Sequence, residues 1–329
     1  MLPYIKKLEK TMQQLYPLFF KPVYKDYIWG GNNIISYFDR NEPPGLYAES
    51  WEVSDRQDGM SEITNGPLAG TTLKDLLEKR KGELLGLDSH HLCFPLLLKL
   101  IDAHQNLSIQ VHPNDNTAKQ FGGEAKTEAW YILEAEKNAE LYAGFKKFYP
   151  KEIIKNALPT KEILSLMRKI PVHKDEVAFI PGGRLHAIGS GCLILEIQQN
   201  SNTTYRVYDW GRLDRALHLK EAERVIAWDD SEDPMIPPTL LENKEEYKQW
   251  EVVKCPYFTM ERWEITESID WEKKPSQFEI LFFLTGEGKI LSSESYPIKK
   301  GMTCLLPALS EKIRLEVDSF PLTLLRIFT

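Results

Sequence analysis

Short leucine-rich, β-branched and aromatic runs, separated by Gly, Pro and Asn, recur along most of this chain. Turn-prone clusters such as Asn65-Gly66-Pro67 and Gly189-Ser190-Gly191 punctuate them, a pattern that predicts many short antiparallel strands in a mainly β sandwich or barrel. Two stretches break this rhythm with helical spacing. In residues 72–81, Leu73, Leu76 and Leu77 share one helix face. In residues 151–168, Ile153, Ile154, Ala157, Ile163, Leu164 and Met167 carry the apolar pattern, and Pro159 divides the segment into two short helices. Leu2, Ile5, Leu8 and Met12 give residues 1–14 the spacing of a short amphipathic helix, read as an N-terminal extension.

A connector rich in Asp, Glu and Pro occupies residues 228–246. The expected organisation is therefore an extension over 1–14, a larger domain with helical insertions over 15–240, and a smaller β-sandwich over 241–329. In the last part, residues 258–265, 278–284 and 322–328 read as strands, with Gly286-Glu287-Gly288 as a turn. Residues 300–307 echo residues 175–181, each leading through an apolar strand to a proline, which points to a second sandwich of the same kind as the first. No histidine follows His218, so the second sandwich supplies no imidazole and is expected to be structural or to close the first.

Composition mostly excludes. A chain of 329 residues exceeds the usual size of a single core. A formal charge of -7 argues against a nonspecific nucleic-acid binder, while leaving room for a local anion site. Cys93, Cys192, Cys255 and Cys304 form no CxxC pair and sit beside apolar neighbours, the usage of buried free thiols in a reducing compartment. No apolar run approaches the ~20 residues that span a bilayer. Lys6, Lys7, Glu9 and Lys10 interrupt the place where a secretory apolar segment would lie. A cytoplasmic monomer or weak homodimer, with neither nucleic acid nor membrane as partner, is the expectation.

The chemistry is concentrated in Ser108-Ile109-Gln110-Val111-His112-Pro113. Gln110 and His112 are two apart and project from one face of an extended segment. Lys126-Thr127-Glu128 places two more polar side chains on one face, and Pro181-Gly182-Gly183-Arg184-Leu185-His186 brings a second imidazole after a turn. Gln110, His112, Glu128 and His186 together offer nitrogen and oxygen donors suited to a divalent ion of zinc type, and the absence of a thiolate argues against a closed structural zinc site. For His90, His91, His104, His173 and His218 an ordinary surface or core role is the reading, and Glu124 and Glu134 are the competing carboxylates.

These residues carry a family resemblance. Tyr27-Ile28-Trp29-Gly30-Gly31, Ala48-Glu49-Ser50-Trp51, and residues 107–115, 126–131, 179–186 and 205–212 match, in order, the blocks of type I phosphomannose isomerases of the short bacterial kind, in the cupin superfamily. The chain is thus identified as similar to that family over most of residues 15–215, with the final third alike only in its general β pattern. The resemblance implies two cupin-type antiparallel jelly rolls with short helical insertions. It also implies one zinc ion per chain on Gln110, His112, Glu128 and His186, with Gln110 standing where many cupins have His.

The implied activity is interconversion of mannose 6-phosphate and fructose 6-phosphate through a cis-enediol. Resemblance assigns the active-site arginine to Arg206, suited to an enediolate because it stays charged. Its competing reading is a salt bridge to Asp209 or Asp214. For proton transfer, Lys126 and Glu196 remain open, with His104 third. Lys99 and Arg212 fall in blocks that resemble the family's phosphate-binding segments, and Ser108 shares the face of Gln110 and His112. Trp29, Glu49 and Trp51 are expected to line or brace the sugar pocket. The competing readings are a cupin epimerase or oxygenase, and a noncatalytic sugar-phosphate sensor.

Overall fold

The computed structural model describes residues 14–273, 277–310 and 312–329, so the helix expected over residues 1–14 falls almost wholly outside the described residues. Antiparallel strands dominate and assemble into three sheets. A six-stranded sheet runs in the order Val177–Ile180, Glu128–Ala135, Cys192–Gln199, Leu96–Ala103, Glu49–Val53 and Val23–Lys25. A five-stranded sheet of Tyr205–Tyr208, Ile109–Val111, His186–Ile188, Glu140–Phe145 and Met167–Pro171 forms the other layer of the first sandwich. The eight C-terminal strands, from Thr239–Asn243 to Ile313–Phe328, make a ten-stranded sheet together with Leu18–Lys21 and Glu62–Ile63.

Alternation along each strand explains how the layers stack. In Leu96–Ala103, Leu96, Leu98 and Leu100 face the large core shared with the C-terminal sheet, while Lys99, Ile101 and Ala103 face the interior of the first sandwich. Tyr131 and Leu133 against Trp130 and Ile132, and Leu195 and Ile197 against Ile194 and Glu196, divide in the same way. Both faces of this sheet are covered, which is why its strands read as nearly continuous apolar runs. On the five-stranded sheet, Ile109 and Val111 turn outward to a third core that also holds Ile154, Ala157, Ala222 and Val225 from the helices Lys151–Ala157 and Leu219–Val225. Gln110 and His112 are thereby left facing inward.

Several local expectations change. The helix begun by the Thr72 cap breaks at Arg80, whose backbone is non-helical (φ -139, ψ 35), and a further turn beyond this kink reaches Leu85, with Leu84 and Leu85 buried in the large core and Gly86 ending it. Residues 151–168 divide around Pro159 into Lys151–Ala157 and Ile163–Leu166, but Met167 opens a strand rather than ending a helix. Gly286-Glu287-Gly288 is not a turn: strand Glu279–Leu291 passes through it. Gly286 has φ +84 and the register shifts on either side, so the glycine absorbs an irregularity within the ladder. All four cysteines are free, yet Cys93 is exposed, in the loop that also exposes His90, His91 and Leu92.

The halves also exchange backbone. Strand Leu18–Lys21 pairs with Thr303–Leu306, Leu18 opposite Leu305, so the start of the chain belongs to the C-terminal sheet. Residues on both sides of residue 240 share the large core. Among the described residues, no helix is long and apolar enough to cross a membrane.

Candidate metal centre and its cavity

Register brings the polar inward positions together. On the five-stranded sheet Gln110 lies directly opposite both His186 and Arg206. On the facing six-stranded sheet Glu196 lies opposite Lys99 and Trp130, and Gln198 opposite Glu128. Directly opposed residues share a face, so the two sheets present their polar positions to one another.

His112, Glu128 and His186 form a buried group whose ligand atoms all lie within 4.8 Å of one another. Nε2 of His112 is 3.7 Å from Oε2 of Glu128, and Nε2 of His186 is 3.4 Å from Oε1. Each imidazole donates its Nδ1 proton to a backbone carbonyl, His112 to Thr203 at 2.7 Å and His186 to Arg184 at 2.8 Å. That tautomer leaves both Nε2 lone pairs toward Glu128, the arrangement that orients metal-binding histidines. The Gln110 amide reaches His186 Nε2 at 3.4 Å.

The electrostatics fit a cation. Neither oxygen of the fully buried Glu128 has a hydrogen bond of proper geometry, the Lys126 ammonium meeting Oε2 at 2.8 Å as an ion pair. Burial, reinforced by the charge of Glu196, pushes the Glu128 carboxyl up. Burial lowers both imidazoles and keeps them neutral. A carboxyl that resists ionisation between two neutral nitrogens is a donor set that a divalent ion would stabilise in its ionised form.

Beside this group lies a cavity of 330 Å³. Its lining includes Trp29, Glu49, Lys99, Ser108, Gln110, Lys126, Glu196 and Arg206. Trp51 lies fully buried behind it and donates from Nε1 to Glu49 at 2.7 Å. Glu196 is fixed by Trp130 Nε1 at 3.0 Å, by Lys99 at 3.3 Å and by Lys126 at 3.8 Å. Burial opposes its ionisation, but the two lysines outweigh burial and hold its carboxyl down at about 2. Arg206 donates from Nε to Ser108 Oγ at 3.2 Å and from a terminal nitrogen to the Ala216 carbonyl at 2.9 Å. Asp209, its expected competitor for a salt bridge, pairs instead with Arg212 and Arg215, each at 2.6 Å.

Arg212 is not among the residues lining this cavity; its guanidinium is taken up by Asp209 and the Asn106 carbonyl. Arg215, three residues on, lines it, as do Tyr27, Asn202 and Thr204. Thr204 is two positions from Arg206 and was findable by alternation, whereas nothing in the order Arg212-Leu213-Asp214-Arg215 tells which arginine faces inward. His90, His91, His104 and His173 are exposed, Glu124 pairs with Arg56, and Glu134 with Lys174. The Nδ1 of His218 accepts from the Arg206 backbone at 3.2 Å.

The family model for the catalytic domain of phosphomannose isomerase type I matches residues 18–151, and that for the mannose-6-phosphate isomerase cupin domain matches residues 248–319. Mannose-6-phosphate isomerase ManA of Bacillus subtilis (strain 168) is 38% identical over 311 residues, covering 91% of this chain and 96% of the relative. The chain belongs to the type I phosphomannose isomerase family. A second similar protein, described as probable mannose-6-phosphate isomerase GmuF of the same strain, is 37% identical over 89% of this chain and 94% of its own length. A crystal structure of the Bacillus subtilis mannose 6-phosphate isomerase superposes with a TM-score of 0.87 at 32% identity, covering 95% of this chain and 99% of the other. The mainly β, antiparallel architecture is the one the strand pattern predicted, and the cupin fold is the one the resemblance implied.

Proposed function

We propose that the chain interconverts mannose 6-phosphate and fructose 6-phosphate through a cis-enediol, with one divalent ion of zinc type held by Gln110, His112, Glu128 and His186. The observation that carries this reading is the buried Glu128 carboxylate, without a proper hydrogen bond, between two oriented imidazoles and beside a cavity bearing Arg206, Lys126 and Glu196. When bound, such an ion supplies a Lewis acid that polarises the sugar carbonyl or orients its vicinal oxygens.

The chain's own residues do the rest. Arg206, with no acid paired to it among the described residues, offers a permanent positive charge to the oxygen that becomes negative in the enediolate. Glu196, ionised between two lysines, is a weak base and orients Lys126, whose neutral amine would take the proton from one carbon and, as the ammonium so formed, return it to the other. The charge of Lys99 is matched by Glu196 at 3.3 Å and Glu49 at 3.8 Å, so it positions carboxylates. The phosphate falls to Ser108, Asn202, Thr204 and Arg215 on the cavity wall, with Arg212 bracing Arg215 through their shared Asp209. This departs from the sequence expectation for Lys99 and Arg212.

The test is a coupled assay with mannose 6-phosphate before chelation, after chelation and after zinc is returned, beside metal analysis of His112→Ala and His186→Ala. Turnover is expected to vanish with the metal and return with zinc, and both variants to lose metal while circular dichroism stays unchanged. Turnover that survives complete chelation overturns the metal assignment, and no turnover with zinc present overturns the substrate.

A further inference from the structure

The C-terminal sheet has a cavity of its own, 690 Å³ against 330 Å³ for the one beside the histidine group. Its volume falls in the range of about 300–1,000 Å³ typical of small-molecule sites. The ladder builds the wall: Gln249 stands opposite Trp263, and Glu261, two residues from Trp263, stands opposite Arg326. Trp271 comes from the short strand Ile269–Trp271. Tyr247, Trp263 and Trp271 make an aromatic row, with successive ring centroids 4.7 and 4.9 Å apart.

One buried donor on this wall is unsatisfied, and one amide opens onto the cavity. Arg326 is 3% exposed; its terminal nitrogens reach Glu261 at 3.5 Å, Glu279, and the Glu272 carbonyl at 3.0 Å, while its Nε has no hydrogen-bond partner. Gln249 is 9% exposed, and its amide makes no hydrogen bond to a described residue. Buried donors and acceptors left open are costly and uncommon.

The wall's charges say which ligand resolves them. Lys244 is matched by Glu242 at 2.7 Å, Arg326 by Glu261 and Glu279, and Lys273 donates to the Pro307 carbonyl at 2.5 Å. Glu246, Asp270 and Glu272 add further carboxylates. Among the described residues every lining cation is already engaged, whereas apolar rings beside an amide and carboxylates suit a ring that carries hydroxyls on its edge and C–H groups on its faces. We propose that this cavity binds an uncharged pyranose sugar, at a site separate from the histidine group.

Equilibrium dialysis with labelled mannose and glucose tests this on the full chain and on His186→Ala, Gln249→Leu and Tyr247→Ala. The expected result is saturable binding of at least one sugar that survives His186→Ala and weakens at least tenfold in Gln249→Leu or Tyr247→Ala, with mannose 6-phosphate turnover of those two variants unchanged. Absence of saturable binding up to ~10 mM sugar, about tenfold weaker than a Kd of ~1 mM, overturns the proposal. So does binding that disappears in His186→Ala, or that persists undiminished in both cavity variants.

Discussion

Lys99 and Glu196 stand directly opposite one another on neighbouring strands, and their side chains meet at 3.3 Å with both residues almost fully withdrawn from solvent. Each is tolerable there because of the other. Lys99→Met leaves Glu196 the Trp130 hydrogen bond and, as its cation, only the more distant Lys126 at 3.8 Å, and strips Glu49 of the Lys99 charge. Loss of one partner of a buried pair costs about 3–5 kcal/mol, read from the shift of a urea unfolding curve. Adding Glu196→Leu to the same chain should recover at least half of that loss; if the two losses merely add, the residues are not coupled.

Arg206 is held by neutral acceptors, Ser108 Oγ and the Ala216 carbonyl, and its burial lowers its pKa without an acid to oppose the effect fully. Arg206→Lys should keep the fold and the metal but lower kcat roughly 10²-fold, the scale on which a preorganised charge-stabilising donor acts. A rise in KM alone, with kcat intact, makes Arg206 a binding residue.

Arg212 and Arg215 differ although they share Asp209. Arg215 faces the cavity, so Arg215→Ala should raise KM for mannose 6-phosphate and reduce competition by inorganic phosphate, with little change toward unphosphorylated mannose. Arg212→Ala should give a weaker version of the same phenotype. Steady-state kinetics on both sugars checks this, and a larger phosphate-specific loss in Arg212→Ala reverses the assignment.

Thr72 opens the helix Leu73–Leu85, its Oγ1 accepting from the Asp75 amide at 3.0 Å and donating to the Asp75 carboxylate at 2.7 Å. Thr72→Ala should cost about 1 kcal/mol, with turnover unaffected. Thermal unfolding of the two proteins side by side reads the loss, and an unchanged midpoint means the cap contributes nothing.

Much of the centre was legible because it rests on alternation. Gln110 and His112 are two apart, and the apolar Ile109 and Val111 beside them had to face a core, which fixes where the polar pair points. Register carries no such local signature. That Arg206 pairs with Gln110, or that Glu196 pairs with Lys99, depends on how strands far apart in the chain align. Lys99, set among leucines, signalled a buried charge but not its partners. The Gly286 segment misled for a related reason: glycine suits both a chain reversal and an irregular residue inside a strand, and only the pairing with Ile313–Phe328 decides between them.

The pairing of Leu18 with Leu305 also sets a timetable for synthesis. The two residues are separated by 305 − 18 = 287 positions, which a ribosome elongating at about 5–20 residues per second takes roughly 15–60 s to cover. Through that interval the apolar Leu18-Phe19-Phe20 edge has no partner on its long side, and only the short Glu62–Ile63 strand is available to its other. A nascent chain that stalls or is cut before Thr303 therefore carries an unprotected strand edge, the kind of surface that recruits chaperones or other chains.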